Sequence, residues 1–230
     1  VNAPEGIRYV VLFSFANGEK KRFLTNENCF SIGSLIAKIH NVTAGEKIAR
    51  VNYDSEILLK KSYDYLKQFF SEDLSEMKFL KEIGKEISKS FQETNLKESQ
   101  KGVVHLDIWY DNFNINTEND ITIFDFDNCG NGLLVLDIGY FCKQLFFIEQ
   151  DKNQYELKVK SFLDGYRNVR ELSDREIDLI PDAGASIFIF YLGVQAQRFD
   201  WSNIFLTENY LKMYVGRIID WRDYYKTEKV

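Results

Sequence analysis

The chain has 230 residues, enough for one large domain or two small ones with a substantial buried core. Its net charge of −6 at pH 7 argues against a general nucleic-acid binder, which would normally carry a basic face. No apolar run reaches about 18 residues and no signal pattern opens the chain, so we expect no membrane partner. The three cysteines are odd in number and lack metal-ligand spacing, which favours reduced thiols and a cytoplasmic protein.

The first hundred residues predict one strand and three helices. Residues 7–15 are β-branched and aromatic, as in a buried strand. Thr25 can cap a helix that ends near His40, a residue we expect to be structural. Two more helices are predicted over residues 54–70 and 73–92. The second of these is the stronger prediction, because its apolar residues form one stripe and its charges lie on the other faces.

The centre of the chain carries the residues that point to chemistry. His105, Asp107 and Asn112 follow the spacing His-x-Asp-x-x-x-x-Asn on a loop between apolar runs, and a predicted hairpin then ends at Asp125. This spacing, followed by a further Asp, is typical of phosphoryl-transfer sites. The combination with Asp137 at the head of an apolar helix makes a chance match unlikely.

Phosphoryl transfer explains why these residue types are needed. A carboxylate must lie close to the attacking hydroxyl to orient it and accept its proton, and Asp107 is the candidate. Mg²⁺ takes oxygen ligands, typically one or two carboxylates besides phosphates and waters. Asn112 and Asp125 are therefore the candidate metal ligands, while His105 is expected to brace the loop.

From about Pro4 onward the chain resembles the aminoglycoside phosphotransferase and choline kinase superfamily, within it most nearly the homoserine kinase type II and stress-response kinase branch. The family motif is usually His-Gly-Asp-x-x-x-x-Asn, and here Leu106 replaces the glycine. The resemblance implies that Asp107 is the catalytic base, with His105 beside it, and that Asn112 and Asp125 bind metal.

Two further aspartates have roles that the resemblance suggests. It implies that Asp137 is the buried aspartate that holds the catalytic loop through backbone hydrogen bonds. For Asp127 two roles remain open, since it could approach the metals or merely order the hairpin.

The implied fold is α+β and mainly α-helical: a protein-kinase-like C-terminal lobe with a short β-hairpin at the active site. One or two strands would be left from the N-terminal lobe. Residues 1–18 would be the remnant of that lobe and the hinge, and residues 19–230 the helical lobe with the catalytic loop. Ser14, Phe15 and Ala16 would lie near the adenine of ATP. No Gly-rich phosphate loop or its lysine occurs in the chain. The chain is therefore either a truncated form of a larger enzyme, which we expect, or one that has lost its nucleotide lobe, and in both cases it need not be active alone.

The remainder of the chain is predicted to be helical after a flexible loop at residues 128–132. Helices are expected over residues 151–165, 183–199 and 203–226, and another opens at a capping box that begins at Ser173 and is interrupted at Pro181. In the family the C-terminal helices form the acceptor pocket. The candidates there are Tyr191, Gln195, Arg198, Asp200, Trp201, Glu208 and Tyr210, each of which could equally be a core aromatic or a surface charge.

The leading hypothesis is an ATP- and Mg²⁺-dependent phosphotransferase. Its partner would be a hydroxyl-bearing acceptor, either a small molecule such as an aminoglycoside, homoserine or a choline-like alcohol, or a protein Ser/Thr. The alternative is a kinase-like binding module without catalysis. A third hypothesis, a metal-dependent hydrolase using Asp125 and Asp127, is weakened because His40 and His105 are the only histidines.

Overall fold

Helices dominate the computed structural model, which describes residues 2–4, 6–7, 12–94, 96–198 and 206–227, and short strands lie between them. This confirms an α+β fold that is mainly helical. The helices are α1 (Asn26–Thr43), α2 (Ser62–Leu66), α3 (Ser75–Glu93), α4 (Val135–Ile148), α5 (Lys152–Arg167), α6 (Asp174–Asp178), α7 (Ile180–Gln197) and α8 (Glu208–Thr227). The strands are β1 (Asn2–Ala3), β2 (Gly6–Ile7), β3 (Asn52–Tyr53), β4 (Lys101–Val104), β5 (Phe113–Ile115), β6 (Ile121–Ile123) and β7 (Gly130–Leu133).

Helix α1 begins where the sequence predicts it. The Thr25 hydroxyl accepts a hydrogen bond from the Asn28 backbone N–H (3.1 Å), and the Asn28 side chain accepts one from the Thr25 N–H (3.0 Å). This reciprocal cap satisfies two amides that the first helical turn would otherwise leave without partners.

Helices α1 and α5 pack closely because each presents a glycine to the other. A Cβ atom at Gly33 would collide with the Phe162 carbonyl group of α5, and one at Gly165 would collide with the Phe30 carbonyl group of α1. The two backbones therefore approach within a distance that only glycine allows. The Phe30 side chain is turned outward and is 40% exposed, so Phe30 meets α5 through its backbone.

The helix predicted at residues 54–70 is present but irregular. It starts with a π-helical turn over Glu56–Lys61 and continues as α2. The predicted stripe of α3 is confirmed, and its buried residues are Met77, Leu80, Ile83 and Ile87.

The glycine-rich segment at residues 128–132 is not a flexible loop, contrary to prediction. Its larger part forms β7, the central strand of a sheet in which β3 pairs parallel and β4 pairs antiparallel to it. A Cβ atom at Gly130 would lie 2.6 Å from the Val51 carbonyl oxygen. The glycines here permit close strand packing, a use that composition cannot distinguish from a loop.

The predicted hairpin that precedes Asp125 is confirmed as β5 and β6, with Phe113 opposite Ile123. At its turn Asn119 adopts a left-handed backbone conformation (φ 64°). The Asn119 side chain donates a hydrogen bond to the Ser31 hydroxyl (2.7 Å) and accepts one from the Asn28 amide (2.5 Å). The turn of the hairpin is thereby fixed to α1.

The strand predicted at residues 7–15 is wrong over residues 12–15. Strand β2 ends at Ile7, residues 8–11 lie outside the described part, and residues 12–17 have no regular secondary structure. Leu12 is 96% exposed and Phe15 85% exposed. An apolar stretch forms a buried strand only where a sheet accepts it, and none of the described strands pairs with this stretch.

The C-terminal helices differ from prediction mainly at their ends. The Ser173 capping box opens α6 as predicted, but the break falls at Leu179, and Pro181 lies in the first turn of α7, where proline is well accommodated. The predicted start of the last helix at residues 203–205 lies outside the described part. The Trp221 indole of α8 is fully buried and donates a hydrogen bond to the Pro181 carbonyl (2.8 Å).

Within the described residues, the helices are too short or too polar to serve as membrane spans.

Replacing Gly33 by alanine should destabilise the fold by about 2–3 kcal/mol, because α1 and α5 must move apart to admit the methyl group. Urea unfolding of G33A against wild type measures this difference. The matched control is Gly216→Ala in α8, where a Cβ atom would meet nothing within 4 Å. We expect G216A to be neutral or up to about 1 kcal/mol stabilising, and equal effects of the two variants would contradict the packing argument.

Candidate active site

The loop that follows β4 turns sharply at Leu106. This residue has φ 58°, a left-handed conformation, and its side chain is fully buried. A non-glycine residue in this region costs about 1 kcal/mol or more, which the burial of a leucine side chain can offset. The departure of Leu106 from the family's glycine is therefore compatible with a sharply turned loop.

Asp137 holds this loop from the first turn of α4. Its side chain is 1% exposed. Its Oδ2 accepts the His105 backbone N–H (2.9 Å), and its Oδ1 accepts the Leu106 backbone N–H (2.8 Å). Hydrogen bonds from backbone amides to a buried carboxylate are stronger than those between neutral groups, so Asp137 fixes the peptide units on which Asp107 depends.

His40 supports Asp137 from the opposite side. Its Nε2 lies 3.1 Å from Asp137 Oδ2, and its Nδ1 lies 2.8 Å from the Tyr166 hydroxyl of α5. All of these groups are buried. One continuous network thus joins α5, α1, α4 and the loop, and His40 has a structural position within it.

His105 is buried and forms hydrogen bonds at both ring nitrogens, one to the loop and one to the end of the hairpin. Its Nδ1 accepts the Asp107 backbone N–H (3.2 Å), and its Nε2 donates to the Phe124 carbonyl (3.1 Å). Its ring therefore links the loop to the end of β6, just before Asp125, and does not face open solvent.

The Asp107 carboxylate accepts four hydrogen bonds from side chains. Oδ1 accepts the hydroxyl of Tyr140 (2.7 Å) and, at 3.1 Å, that of Tyr191, whose single proton is shared with the Leu106 carbonyl (3.0 Å). Oδ2 accepts the amides of Asn112 (3.0 Å) and Asn128 (3.4 Å). Burial, together with the neighbouring Asp107, raises the pKa of both phenols, so both hydroxyls stay protonated donors. The Asn128 contact is the longest of the four and therefore the weakest.

Asn112 and Asp125 are brought together by the hairpin. The Phe124 N–H donates to the Asn112 carbonyl (3.1 Å), so Asp125 follows directly after the residue paired with Asn112. Because the Asn112 amide nitrogen donates to Asp107, its Oδ1 oxygen is turned elsewhere. Asp125 is exposed and left-handed (φ 64°). One amide oxygen and one exposed carboxylate fit the ligand set of Mg²⁺.

Asp127 is exposed and lies in a short helical turn over Phe126–Asn128. Its backbone N–H donates to Asp125 Oδ1 (3.4 Å), and its carbonyl accepts a hydrogen bond from Arg50. Within the described residues no three His, Cys, Asp or Glu side chains form a group that could hold a metal. The backbone of Asp127 thus contacts Asp125 and Arg50, while its side-chain carboxylate is exposed.

The remaining candidates lie further from this centre. Ser14, Phe15 and Ala16 belong to the segment without regular structure, and the Ala16 carbonyl accepts the Asn114 side-chain amide of β5 (2.7 Å). The Gln195 amide donates to the Tyr210 hydroxyl (3.0 Å). Glu208 is exposed at the start of α8. Asp200 and Trp201 lie outside the described residues.

Sequence reasoning did not assign Tyr140 and Asn128 to the site, and it placed Tyr191 in an acceptor pocket instead of against Asp107. Tyr140 lies three residues after Asp137, one helical turn along the same face, and that spacing was the available signal.

The comparisons with known proteins agree with this geometry. Residues 5–172 match the model of the APH family, described as the phosphotransferase enzyme family. The match covers well over half of the chain, and the chain belongs to this family.

Relatives by sequence include two homoserine kinases. The one from Agrobacterium fabrum is 28% identical, over 84% of this chain and 58% of its own length, and the one from Bradyrhizobium diazoefficiens is 26% identical, over 86% and 59%. The chain thus spans less than two thirds of these relatives.

Two solved structures share the fold at low identity. An amicoumacin kinase in complex with AMP-PNP and Ca²⁺ aligns with a TM-score of 0.71 at 21% identity, covering 91% of this chain and 63% of that one. A microcompartment-associated aminopropanol kinase aligns with a TM-score of 0.65 at 20% identity, covering 89% and 63%. These likenesses show that the fold is kinase-like.

Asp137→Asn should destabilise the protein by about 2–4 kcal/mol. The carboxylate accepts hydrogen bonds with two oxygens, whereas an amide has only one acceptor oxygen. Chemical denaturation measures the loss. The control is Asp164→Asn, which removes an exposed ion pair with Lys160 and should change stability by less than about 0.5 kcal/mol. A loss in D137N no larger than in the control would show that the loop does not depend on Asp137.

Proposed function

We propose that this protein is an ATP-dependent phosphotransferase that moves the γ-phosphoryl group to the hydroxyl of a small molecule. The observation that carries the proposal is the Asp107 carboxylate, held at a fixed position on a braced loop beside Asn112 and Asp125. The family membership and the kinases among the relatives support the same reaction class.

In the proposed reaction, the acceptor oxygen forms a bond to the γ-phosphorus as the bond to the ADP oxygen breaks, and the hydroxyl proton passes to Asp107. Mg²⁺, when bound by Asn112 and Asp125, would neutralise phosphate charge. Asp127 would order the turn that presents Asp125. His105 would keep the loop in register with β6 without touching substrate.

The Oδ2 oxygen of Asp107 is the better candidate to receive the proton. Oδ1 is bonded by two phenols from packed helices. Oδ2 is bonded by Asn112, and its second partner, Asn128, lies 3.4 Å away. An acceptor hydroxyl can replace that weak contact. A cleft of about 300 Å³ reaches Asn128 between α2 and α7, with Tyr53 and Gln197 also in its wall. A cleft of this size fits a small alcohol better than a protein segment.

ATP would bind where two parts of the chain meet. Residues 1–18 would form the remnant of an N-terminal lobe and its hinge, and residues 19–230 would form the catalytic lobe. Ser14, Phe15 and Ala16 would then lie near the adenine. The hydrogen bond from Asn114 to the Ala16 carbonyl supports this, because it joins that segment to the strand that follows Asn112.

A second candidate is a kinase-like binding module without catalysis. The observation that favours it is the saturation of Asp107, whose carboxylate already accepts four hydrogen bonds from the chain's own side chains. A base in that state must exchange a partner before it can act.

Asp107→Asn should lower turnover at least about 100-fold, because an amide cannot accept the hydroxyl proton. We would measure ADP release with homoserine, aminopropanol, ethanolamine and an aminoglycoside as acceptors. Circular dichroism of the variant should match wild type, since the amide oxygen can still accept the phenol hydroxyls and Asp137 still holds the loop. Turnover retained above a few per cent would exclude Asp107 as the base.

Asp125→Ala should abolish Mg-ATP binding in calorimetry while leaving the fold unchanged, because it removes the carboxylate that would hold the metal. Asp73→Ala is the matched control, an exposed aspartate in the loop before α3, and should bind as wild type does. No Mg-ATP binding by the wild type would mean either that the residues missing relative to the longer relatives are needed or that the site is inactive.

A further inference from the structure

A lysine is buried in the apolar interface between α4 and α7. Lys143 is 3% exposed. Its ammonium lies 4.4 Å from the ring centre of Tyr140, 4.6 Å from that of Phe188 and 5.5 Å from that of Tyr191. Within the described residues no carboxylate forms an ion pair with it. Three aromatic faces therefore surround a charge that is costly to bury.

The cage is connected to the proposed base. Two of its three rings, those of Tyr140 and Tyr191, carry the hydroxyls that donate to Asp107 Oδ1. The ring of each tyrosine thus meets a positive charge, and its hydroxyl meets a negative one. A cation over the ring draws electron density from the phenol, which makes its O–H a stronger donor.

We propose that Lys143 is a positioning residue for Asp107, acting through the two tyrosines whose hydroxyls hold Oδ1. The inference rests on the proposed function, in which Asp107 is the base. The ammonium is not needed to fill this space. A methionine or leucine would fill it without the free-energy cost of burying a charge.

The charges around Lys143 are consistent with this role. Burial lowers its pKa to about 7, the Asp107 carboxylate raises it, and Arg217 of α8 lowers it. The other titratable groups that face the cage are the phenols of Tyr140 and Tyr191, and that of Tyr214 behind Phe188, and burial keeps all three protonated. Lys143 is therefore the group in the cage whose charge changes near neutral pH.

The sign of the stability effect follows from this pKa. Lys143 binds a proton less readily in the folded chain than in the unfolded chain, whose ordinary value is 10.5. Its contribution to stability therefore increases as pH rises from about 7 towards 10.5, and its protonation below pH 7 opposes folding.

The first test measures the coupling without catalysis. In protein with ¹³C-labelled lysine, one Cε resonance should titrate near pH 7, and it should be absent from K143M. In Asp107→Asn the pKa of that lysine should fall by about 1, because the attraction of the carboxylate is lost. Asp164→Asn should leave it unchanged. No change in D107N would overturn the proposal whether or not the protein is a kinase.

The second test measures turnover with whichever alcohol the wild type phosphorylates. Lys143→Met should lower kcat about tenfold at pH 6.5 with KM for ATP unchanged, while its urea midpoint at pH 6 is equal to or above that of wild type. Wild-type kcat should decline between pH 7 and 9 as Lys143 loses its proton. Lys143→Arg, whose charge does not titrate, should recover part of kcat and should not show this decline. Wild-type kcat in K143M, or a kcat that falls only with stability, would overturn the proposal.

Lys152→Met is the control for both tests. Lys152 also lies against aromatic rings, 3.4 Å from the centre of Phe146, but it bonds to carbonyls at the end of α4 and has no contact with Asp107. K152M should leave the neutral titration and kcat unchanged. If the wild type phosphorylates no alcohol, the proposed function fails, and the titration still decides whether Lys143 and Asp107 are coupled.

Discussion

The buried carboxylate of Asp137 is the constraint on which the site depends. It accepts two successive backbone amides of the catalytic loop, and the same oxygen that receives one of them also meets His40. Burying a carboxylate is costly unless its oxygens are fully bonded, so Asp137, the loop and α1 require one another. The position of Asp107 is a consequence of this arrangement, because it follows directly after the two held amides.

A few side-chain hydrogen bonds also position the β5–β6 hairpin. Its turn is fixed to α1 through Asn119, and its other end carries Asn112 and Asp125 next to Asp107. Elements that are far apart in sequence thus meet at one end of the helical layer. The candidate base lies on a loop, but the two phenols that bond its Oδ1 and the carboxylate that holds the loop belong to the packed helices α4 and α7, as precise chemistry requires.

Much of this arrangement could be predicted from the sequence, and the rest could not for identifiable reasons. The spacing of Asp107 and Asn112 and the β5–β6 hairpin are local features, so residues close in sequence revealed them. The phenols that reach Asp107 come from α4 and α7, and the only local signal for Tyr140 was its spacing of three residues from Asp137, which a core aromatic could equally show. β7 was not predicted because its glycines serve strand packing. Residues 12–15 were predicted as a strand because they are apolar, but no described strand pairs with them. Lys143 escaped notice because one lysine in an apolar helix is normally assumed to reach solvent.

The left-handed turn at Leu106 also bears on how the chain folds. The left-handed backbone conformation of Leu106 is unfavourable by itself. Two other interactions offset its free-energy cost. Its side chain must be buried, and its carbonyl must accept the Tyr191 hydroxyl (3.0 Å) from α7, 85 residues further along the chain. Helices stabilised by near neighbours can form before such distant contacts. The shape of the loop that carries Asp107 therefore depends on a contact with a helix distant in sequence, and not on the loop alone.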